Sequence, residues 1–324
     1  MSLGVPSVAL CETLLQVQME MELASTYRAG YVAIVGEPNV GKSTLLNALL
    51  NQKLSIVSAR PQTTRQRVLG ILSSDNAQII FLDTPGLLRP KYLLHEKMLL
   101  SARLALQDAD VVLLLTEVSR GIELPEVVEE ALTHIASDKR LLLIINKVDT
   151  IQRQAVLPTI DHFARTGKFA DVIPVSALKG ENLPDLLRTI EKYLPMHPPF
   201  YPVDAVSEQP ERFFAAELIR EKIFEQFREE VPYSTAVEIV DFKEREKGKT
   251  FIRADIIVER DSQKGILIGK GGAALKTIGR RARTDIEEMV GHPVFLELHV
   301  KVREKWRESE SLLKKFGYST DKRR

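Results

Sequence analysis

Apolar residues follow two rhythms along this chain. Tyr31 to Val35, Val111 to Leu115, Leu141 to Ile145 and Val172 to Val175 are short apolar runs of strand length, which predicts strands buried on both faces of a parallel sheet. Arg67 to Leu72 and Gln78 to Leu82 read as two more strands around the turn Ser73-Ser74-Asp75-Asn76. Between the strands, Ser43 to Leu50, Tyr92 to Leu106, Pro125 to Ala136, Gln152 to Arg165 and Leu183 to Tyr193 carry apolar residues at helical spacing. Strands alternating with helices predict an α/β fold with a mixed, mostly parallel, doubly wound sheet.

The pattern changes at Leu194 to Pro202, where four prolines in nine residues exclude a helix and predict a stiff linker. A helical stretch follows from Phe213 to Phe227. Tyr233 to Phe242 and Thr250 to Glu259 then alternate apolar and polar residues around the charged turn Lys243 to Lys249, as a hairpin does. Pro293 to Val302 reads as a third strand, and Trp306 with Leu312 to Phe316 as a terminal helix. The expected organisation is a flexible extension over 1–28, an α/β domain over 29–194, a linker over 195–205 and an α+β domain over 206–324.

The chemistry sits where the first-half strands end. Gly36-Glu37-Pro38-Asn39-Val40-Gly41-Lys42-Ser43 matches the GxxxxGK[ST] loop, follows a predicted strand and opens a helix at Ser43-Thr44. In that setting backbone amides and a helix N-terminus converge on bound phosphates, Lys42 reaches the β- and γ-phosphates, and Ser43 ligates Mg²⁺. Asp83-Thr84-Pro85-Gly86 ends another strand, so Asp83 is expected to hold the metal through water and the Gly86 amide to sense the terminal phosphate. Asn146-Lys147-Val148-Asp149 ends a third strand. Asp149 can accept two hydrogen bonds from guanine, with Asn146 on the base edge and bracing the loop and the Lys147 stem over the ring, while the backbone at Ser176-Ala177 reaches the base oxygen. Taken singly, Asp83 or Asp149 reads as an ordinary ion pair or cap. Four elements in order at strand carboxyl ends point to a nucleotide.

Composition narrows the partners. With 45 Lys and Arg against 44 Asp and Glu in 324 residues, no global charge draws nucleic acid, so any such surface is local. Cys11 is the only cysteine, which excludes an internal disulfide or cysteine-based metal site and fits a reducing cytosol. The longest apolar runs are far short of a bilayer span. Local charge does appear from Lys264 to Arg283, which holds six basic residues, including Lys270, Lys276 and Arg280, and no acid. Within it Gly269-Lys270-Gly271-Gly272 forms a GxxG between the apolar Ile266 and Ile268 and a helix, the device by which a KH domain brings backbone against a single-stranded RNA chain. Ile266 and Ile268 either line an apolar groove under the bases or belong to the core.

Residues 31 to 194 resemble a translation-factor-type GTPase domain. Within it, Arg60-Pro61-Gln62-Thr63-Thr64-Arg65 resembles the first switch of the bacterial Era GTPases, a polar segment ordered by nucleotide and metal. Joined to the linker and a type II KH order of elements, the resemblance to that family spans residues 30 to 318. It implies GTP and GDP as ligands, Mg²⁺ held by Ser43, Thr64 and Asp83, and K⁺ beside Asn39. The catalytic set it implies is Lys42, Ser43, Thr64, Asp83 and Gly86. The partners it implies are the 3′ end of 16S rRNA and the assembling 30S subunit. It places the protein in the cytoplasm with peripheral inner-membrane association, and no stable oligomer is expected.

One position departs from Ras-like enzymes: Leu87 stands where a water-orienting Gln would follow Gly86. Either another group positions the water or hydrolysis is slow and depends on a partner. The alternative reading is therefore an RNA-binding module whose nucleotide domain is a scaffold of negligible turnover. A tRNA-modification or transport GTPase lacks support, because those families place other modules beside the nucleotide domain.

Overall fold

The computed structural model describes residues 26–318 apart from 59, 121 and 245–247. The extension expected over 1–28, including Cys11, lies outside the described residues up to 25, and so does the middle of the turn from Lys243 to Lys249. The first half is a six-stranded sheet of β1 (Arg28–Gly36), β2 (Val68–Ser73), β3 (Ala77–Asp83), β4 (Val111–Glu117), β5 (Arg140–Asn146) and β6 (Asp171–Pro174), in the order β2-β3-β1-β4-β5-β6. Every pairing is parallel except β2 with β3. The register sets Ile34 beside Asp83, Gly36 beside Leu115 and Glu117 beside Asn146, which brings three loops out on one edge.

Among the described residues, five helices cover this sheet: α1 (Lys42–Leu50), α2 (Leu93–Asp108), α3 (Glu126–Leu132), α4 (Leu157–Arg165) and α5 (Leu183–Tyr193). On β1, Val32 and Ile34 pack with Leu45 of α1 and Leu186 of α5. The alternate residues Ala33 and Val35 pack with Leu106 of α2 and Phe163 of α4 on the other face. Burial on both faces explains the unbroken apolar runs, each large aliphatic side chain contributing about 1.5–3 kcal/mol.

The second half begins with α6 (Glu211–Gln226) and forms a three-stranded sheet from β7 (Ala236–Lys243), β8 (Thr250–Val258) and β9 (Val294–Val302), with α7 (Asp261–Ile268) and α8 (Ala273–Val290) between the last two. β7 and β8 are antiparallel, whereas β8 and β9 are parallel. Ile219 and Ile223 of α6, Leu267 of α7 and Ile278 of α8 close a core over Ile252, Ala254 and Ile256.

Two expectations need correction. The stretch ahead of GxxG is a helix, α7, whose interior Gly265 hid it from the pattern. Trp306 to Phe316 is no single helix: a 3₁₀ turn at Trp306–Glu308 precedes α9 (Glu310–Lys315), which starts anew where the Ser309 hydroxyl accepts the Leu312 N–H.

The proline-rich linker lies on the first sheet. The Gln78 side-chain oxygen accepts the N–H groups of Phe200 and Tyr201, at 2.7 and 3.0 Å. Further on, the Ile71 N–H of β2 donates to the Val206 carbonyl at 2.8 Å. The two halves also share a buried apolar cluster, in which Leu94 and Met98 of α2 meet Trp306, Leu313 and Tyr318. Trp306 is fully buried and its indole N–H donates to the Ser234 carbonyl at 2.8 Å.

Candidate nucleotide and nucleic-acid sites

The loop from Gly36 to Ser43 leaves β1 and enters α1 by a route that only glycine permits at two points. A Cβ on Gly36 would stand 2.3 Å from the Leu115 carbonyl oxygen, and one on Gly41 2.3 Å from the Asn146 side-chain nitrogen. Lys42 is buried, and its ammonium arches back to donate to the Gly36 and Glu37 carbonyls at 3.2 and 2.8 Å. Pro38, Asn39 and Val40 form the crest of the loop, with Asn39 at φ 67°. Thr44 follows Ser43 in the first turn of α1.

Three oxygens expected at one metal do meet. The Ser43 hydroxyl lies 2.8 Å from both the Thr64 hydroxyl and an Asp83 carboxylate oxygen, and Thr64 lies 3.4 Å from that same oxygen. Asp83 is fully buried, and its other carboxylate oxygen makes no hydrogen bond among the described residues. Burial pushes the Asp83 carboxyl up, against the pull of the Lys42 ammonium and the Ser43 hydroxyl. Burial also pulls the Lys42 ammonium down to about 8, with Asp83 and Glu37 opposing. An acceptor buried without a donor and an ammonium buried short of anions are what a divalent cation and a polyphosphate would satisfy together, so the residues fit Mg²⁺.

Asp83-Thr84-Pro85-Gly86 closes against the same loop. The Thr84 hydroxyl donates to the Ile34 carbonyl at 2.8 Å, and the Leu87 N–H to the Gly36 carbonyl at 2.9 Å. A Cβ on Gly86 would fall 2.8 Å from the Pro38 nitrogen and 2.9 Å from its ring Cγ, so the close approach of the two loops requires glycine there. Leu87 is buried in the core with Ala33 and Val35 and presents nothing that could orient water.

The base end is braced by Asn146. Its side-chain nitrogen donates to the Val40 carbonyl at 2.8 Å, and its oxygen accepts the Ala177 N–H at 3.0 Å. One residue therefore ties the phosphate loop to the segment expected around the base. The Asp149 carboxylate accepts the Ser176 hydroxyl at 2.6 Å, which fixes its plane. Lys147 takes a left-handed φ of 64° and pairs with Glu117. The exposed Leu178 lies beyond them.

In the second half, Gly269, Gly271 and Gly272 all take positive φ, at 71°, 58° and 78°. They turn the chain from α7 into α8 in a conformation costly for other residues. Lys270, Lys276 and Arg280 are exposed and make no ion pair among the described residues, whereas Arg281 of the same run pairs with Glu225 at 2.5 Å. Of the two isoleucines, Ile266 is about half exposed and Ile268 packs against the core.

Sequence reasoning passed over three polar residues where the halves meet. Arg65 is buried and donates to the carbonyls of Thr235, Pro232 and Tyr233 at 2.7, 3.0 and 2.9 Å. Arg220 of α6 donates to the Thr63 carbonyl. His95 of α2 lies 3.1 Å from the Gln62 side-chain oxygen, and burial with nearby Arg65, Arg307 and Lys91 holds it down to about 4. One signal was available: Arg220-Glu221-Lys222, three charges in a row between the apolar Leu218-Ile219 and Ile223-Phe224, of which all three prove buried.

Comparison with known proteins agrees with this geometry. The family described as 50S ribosome-binding GTPase matches residues 31–147, and the KH domain family matches residues 230–307. GTPase Era of Geobacter metallireducens is 46% identical over 296 residues, covering 90% of this chain and 98% of that protein. The chloroplastic GTPase ERA1 of Zea mays is 42% identical over 314 residues, covering 96% of this chain and 76% of that protein. A crystal structure of Era in complex with MgGDPNP and nucleotides 1506–1542 of 16S ribosomal RNA superimposes with a TM-score of 0.87 at 45% identity, covering 90% of this chain and 99% of that one. An Aquifex aeolicus Era variant bound to GDP and AlF₄⁻ superimposes with a TM-score of 0.86 at 44% identity, covering 90% and 99% of the two chains. The architecture is thus a P-loop GTPase fold followed by a KH fold. Among the described residues no helix is long and apolar enough to cross a membrane.

Proposed function

We propose, for a chain that belongs to the Era family of GTPases, that it hydrolyses GTP as a switch and binds the 3′ end of 16S rRNA during assembly of the 30S subunit. The observation that carries the reading is the meeting of Ser43, Thr64 and Asp83 oxygens from three separate segments, beside an Asp83 oxygen left buried without a donor.

In this reading the α/β unit over 29–194 binds nucleotide, 195–205 links, and 206–324 binds single-stranded RNA. The Lys42 ammonium leaves its carbonyls for the β- and γ-phosphates, and the loop amides from Gly36 to Thr44 surround them. Ser43, Thr64 and, through water, Asp83 would hold Mg²⁺, which would offset the charge that develops on the transferred phosphoryl group. The Gly86 N–H donates to the terminal phosphate, so loss of that phosphate releases the segment from Asp83 to Gly86. Asp149 selects guanine, with Asn146, Lys147, Ser176 and Ala177 framing the base. RNA lies along Gly269 to Gly272, with Lys270, Lys276 and Arg280 facing its phosphates and Ile266 the bases. K⁺ beside Asn39, and a cytoplasmic setting with peripheral inner-membrane contact, extend the reading on the strength of the family resemblance.

Leu87 favours slow intrinsic turnover, which keeps the scaffold alternative in play. Multiple-turnover phosphate release, measured with and without rRNA 3′-end oligonucleotides and with tRNA as the control, separates the two. Release above a Lys42→Ala control that the rRNA oligonucleotide raises supports the switch. Release no higher than that control under every condition leaves only the scaffold.

A further inference from the structure

We infer that Arg220, in the second half of the chain, is a positioning residue for the Mg²⁺-dependent GTP-bound state, because it fixes the backbone that presents Thr64. This deepens the switch reading and rests on its assignment of Thr64 to the metal.

The segment Gln62 to Arg65 is held residue by residue from alternating sides. Thr64 turns its hydroxyl inward to Ser43 and Asp83. The residue before it gives its carbonyl to the Arg220 guanidinium, and the residue after it inserts its own guanidinium among three carbonyls of the second half. Thr64 therefore sits between two clamps, and neither belongs to the nucleotide half alone.

Arg220 is built to hold still. It is 1% exposed, and Glu217 one turn earlier takes two of its N–H groups at 2.8 and 2.6 Å. That bidentate pairing fixes the plane of the fork, so the second N–H of Nη2 points at the Thr63 carbonyl, while Nη1 is buried without a hydrogen-bond partner among the described residues. Arg65 is equally confined, with its guanidinium carbon 6.0 and 5.9 Å from the ring centroids of Phe224 and Trp306. Two buried arginines bracketing one residue are a large commitment of desolvated charge. Their combined effect on Thr64 is to remove the freedom of φ and ψ on both of its sides. A hydroxyl offered to a metal gains from that only when metal and terminal phosphate are present, so the benefit falls on the GTP state.

The test uses the full chain and four proteins: the parent, Arg220→Ala, Thr64→Ala and the double variant. Affinity for GDPNP and for GDP is measured in the presence of Mg²⁺, together with the Mg²⁺ concentration needed for half-maximal GDPNP binding. Arg220→Ala is expected to weaken GDPNP by about tenfold or more, as loss of a charge-assisted bond does, and to raise the Mg²⁺ requirement, while GDP stays within about twofold. Added to Thr64→Ala it should cost nothing further, since both act through one hydroxyl. If Arg220→Ala fails to fold, Arg220→Lys, which keeps the charge but loses the fork, is expected to give the same split. Equal loss for GDPNP and GDP, or full additivity with Thr64→Ala, overturns the inference and leaves the switch standing. Should Thr64→Ala itself leave the GDPNP-to-GDP ratio unchanged, the metal assignment fails, and this inference with it.

Discussion

The chain contains two glycine-rich loops that each lead into a helix and each meet phosphate in the proposed function, yet they are built in opposite ways. In the loop from Gly36 to Ser43 the glycines are enclosed: a methyl group on Gly36 or Gly41 would strike neighbouring atoms at 2.3 Å. In the loop from Gly269 to Gly272, a methyl group on Gly271 or Gly272 would meet nothing within 4 Å. The first loop folds around a compact polyanion and needs neighbours to hold that shape. The second offers backbone to a long chain that arrives from outside, so openness is its working condition. Both loops use positive φ at glycine, but in the first glycine also permits close approach by neighbouring elements, whereas at Gly271 and Gly272 positive φ is its whole role.

The contrast can be broken from either side, and the largest effect is expected at Gly36. Gly36→Ala forces a Cβ onto the Leu115 carbonyl, where no flexible side chain can yield, so GTP binding should fall below detection by calorimetry. Lys42→Ala is next: it removes a buried ammonium from the phosphates and should lower kcat for phosphate release by about 10²–10³. Gly271→Asp has room for its side chain but strains φ and repels phosphate. RNA affinity should drop about tenfold or more in a filter-binding assay, while GTP affinity stays unchanged. Equal loss of GTP affinity would show that the loops are not independent.

Two smaller effects sharpen the comparison. Lys270→Ala should weaken single-stranded RNA only a few-fold and lower the slope of log affinity against log salt by about 0.7, the share of one contacted phosphate. His95 tests the seam between the halves. It is buried beside three cations, and its folded-state pKa of about 4 lies below the ordinary 6.5. The unfolded chain therefore takes up the proton first as pH falls, and stability declines from about pH 6.5 down to about pH 4. The slope reaches about 1.4 kcal/mol per pH unit. His95→Gln should flatten that part of the profile in urea titrations, and an unchanged slope would assign the titration elsewhere.

How much of this was legible in the sequence depended on whether a contact is local. The phosphate loop, the turn at Asp83 and the segment at Asn146 are short motifs whose meaning comes from the strand before each, and the apolar runs marked those strands. Leu183 to Tyr193 was delimited to the residue, since its apolar face repeats without interruption. By contrast, α7 is eight residues with a glycine inside, too short and too broken for periodicity to reveal. Arg65 looked like one more charge in a polar loop, because the carbonyls that bury it lie about 170 residues further along the chain. The role of Asn146 as a brace was likewise only half visible, since Val40 and Ala177 are adjacent to it in space alone.

The linker laid along β2 has a practical corollary for anyone dissecting this protein. The outer strand of the first sheet donates its Ile71 N–H to Val206, while Ser207 and Gln209 occupy the neighbouring backbone groups of Leu69 and Arg67. A fragment truncated after Tyr193 would bare that strand and invite edge-to-edge aggregation, whereas one extended through Gln209 carries its own protective selvage.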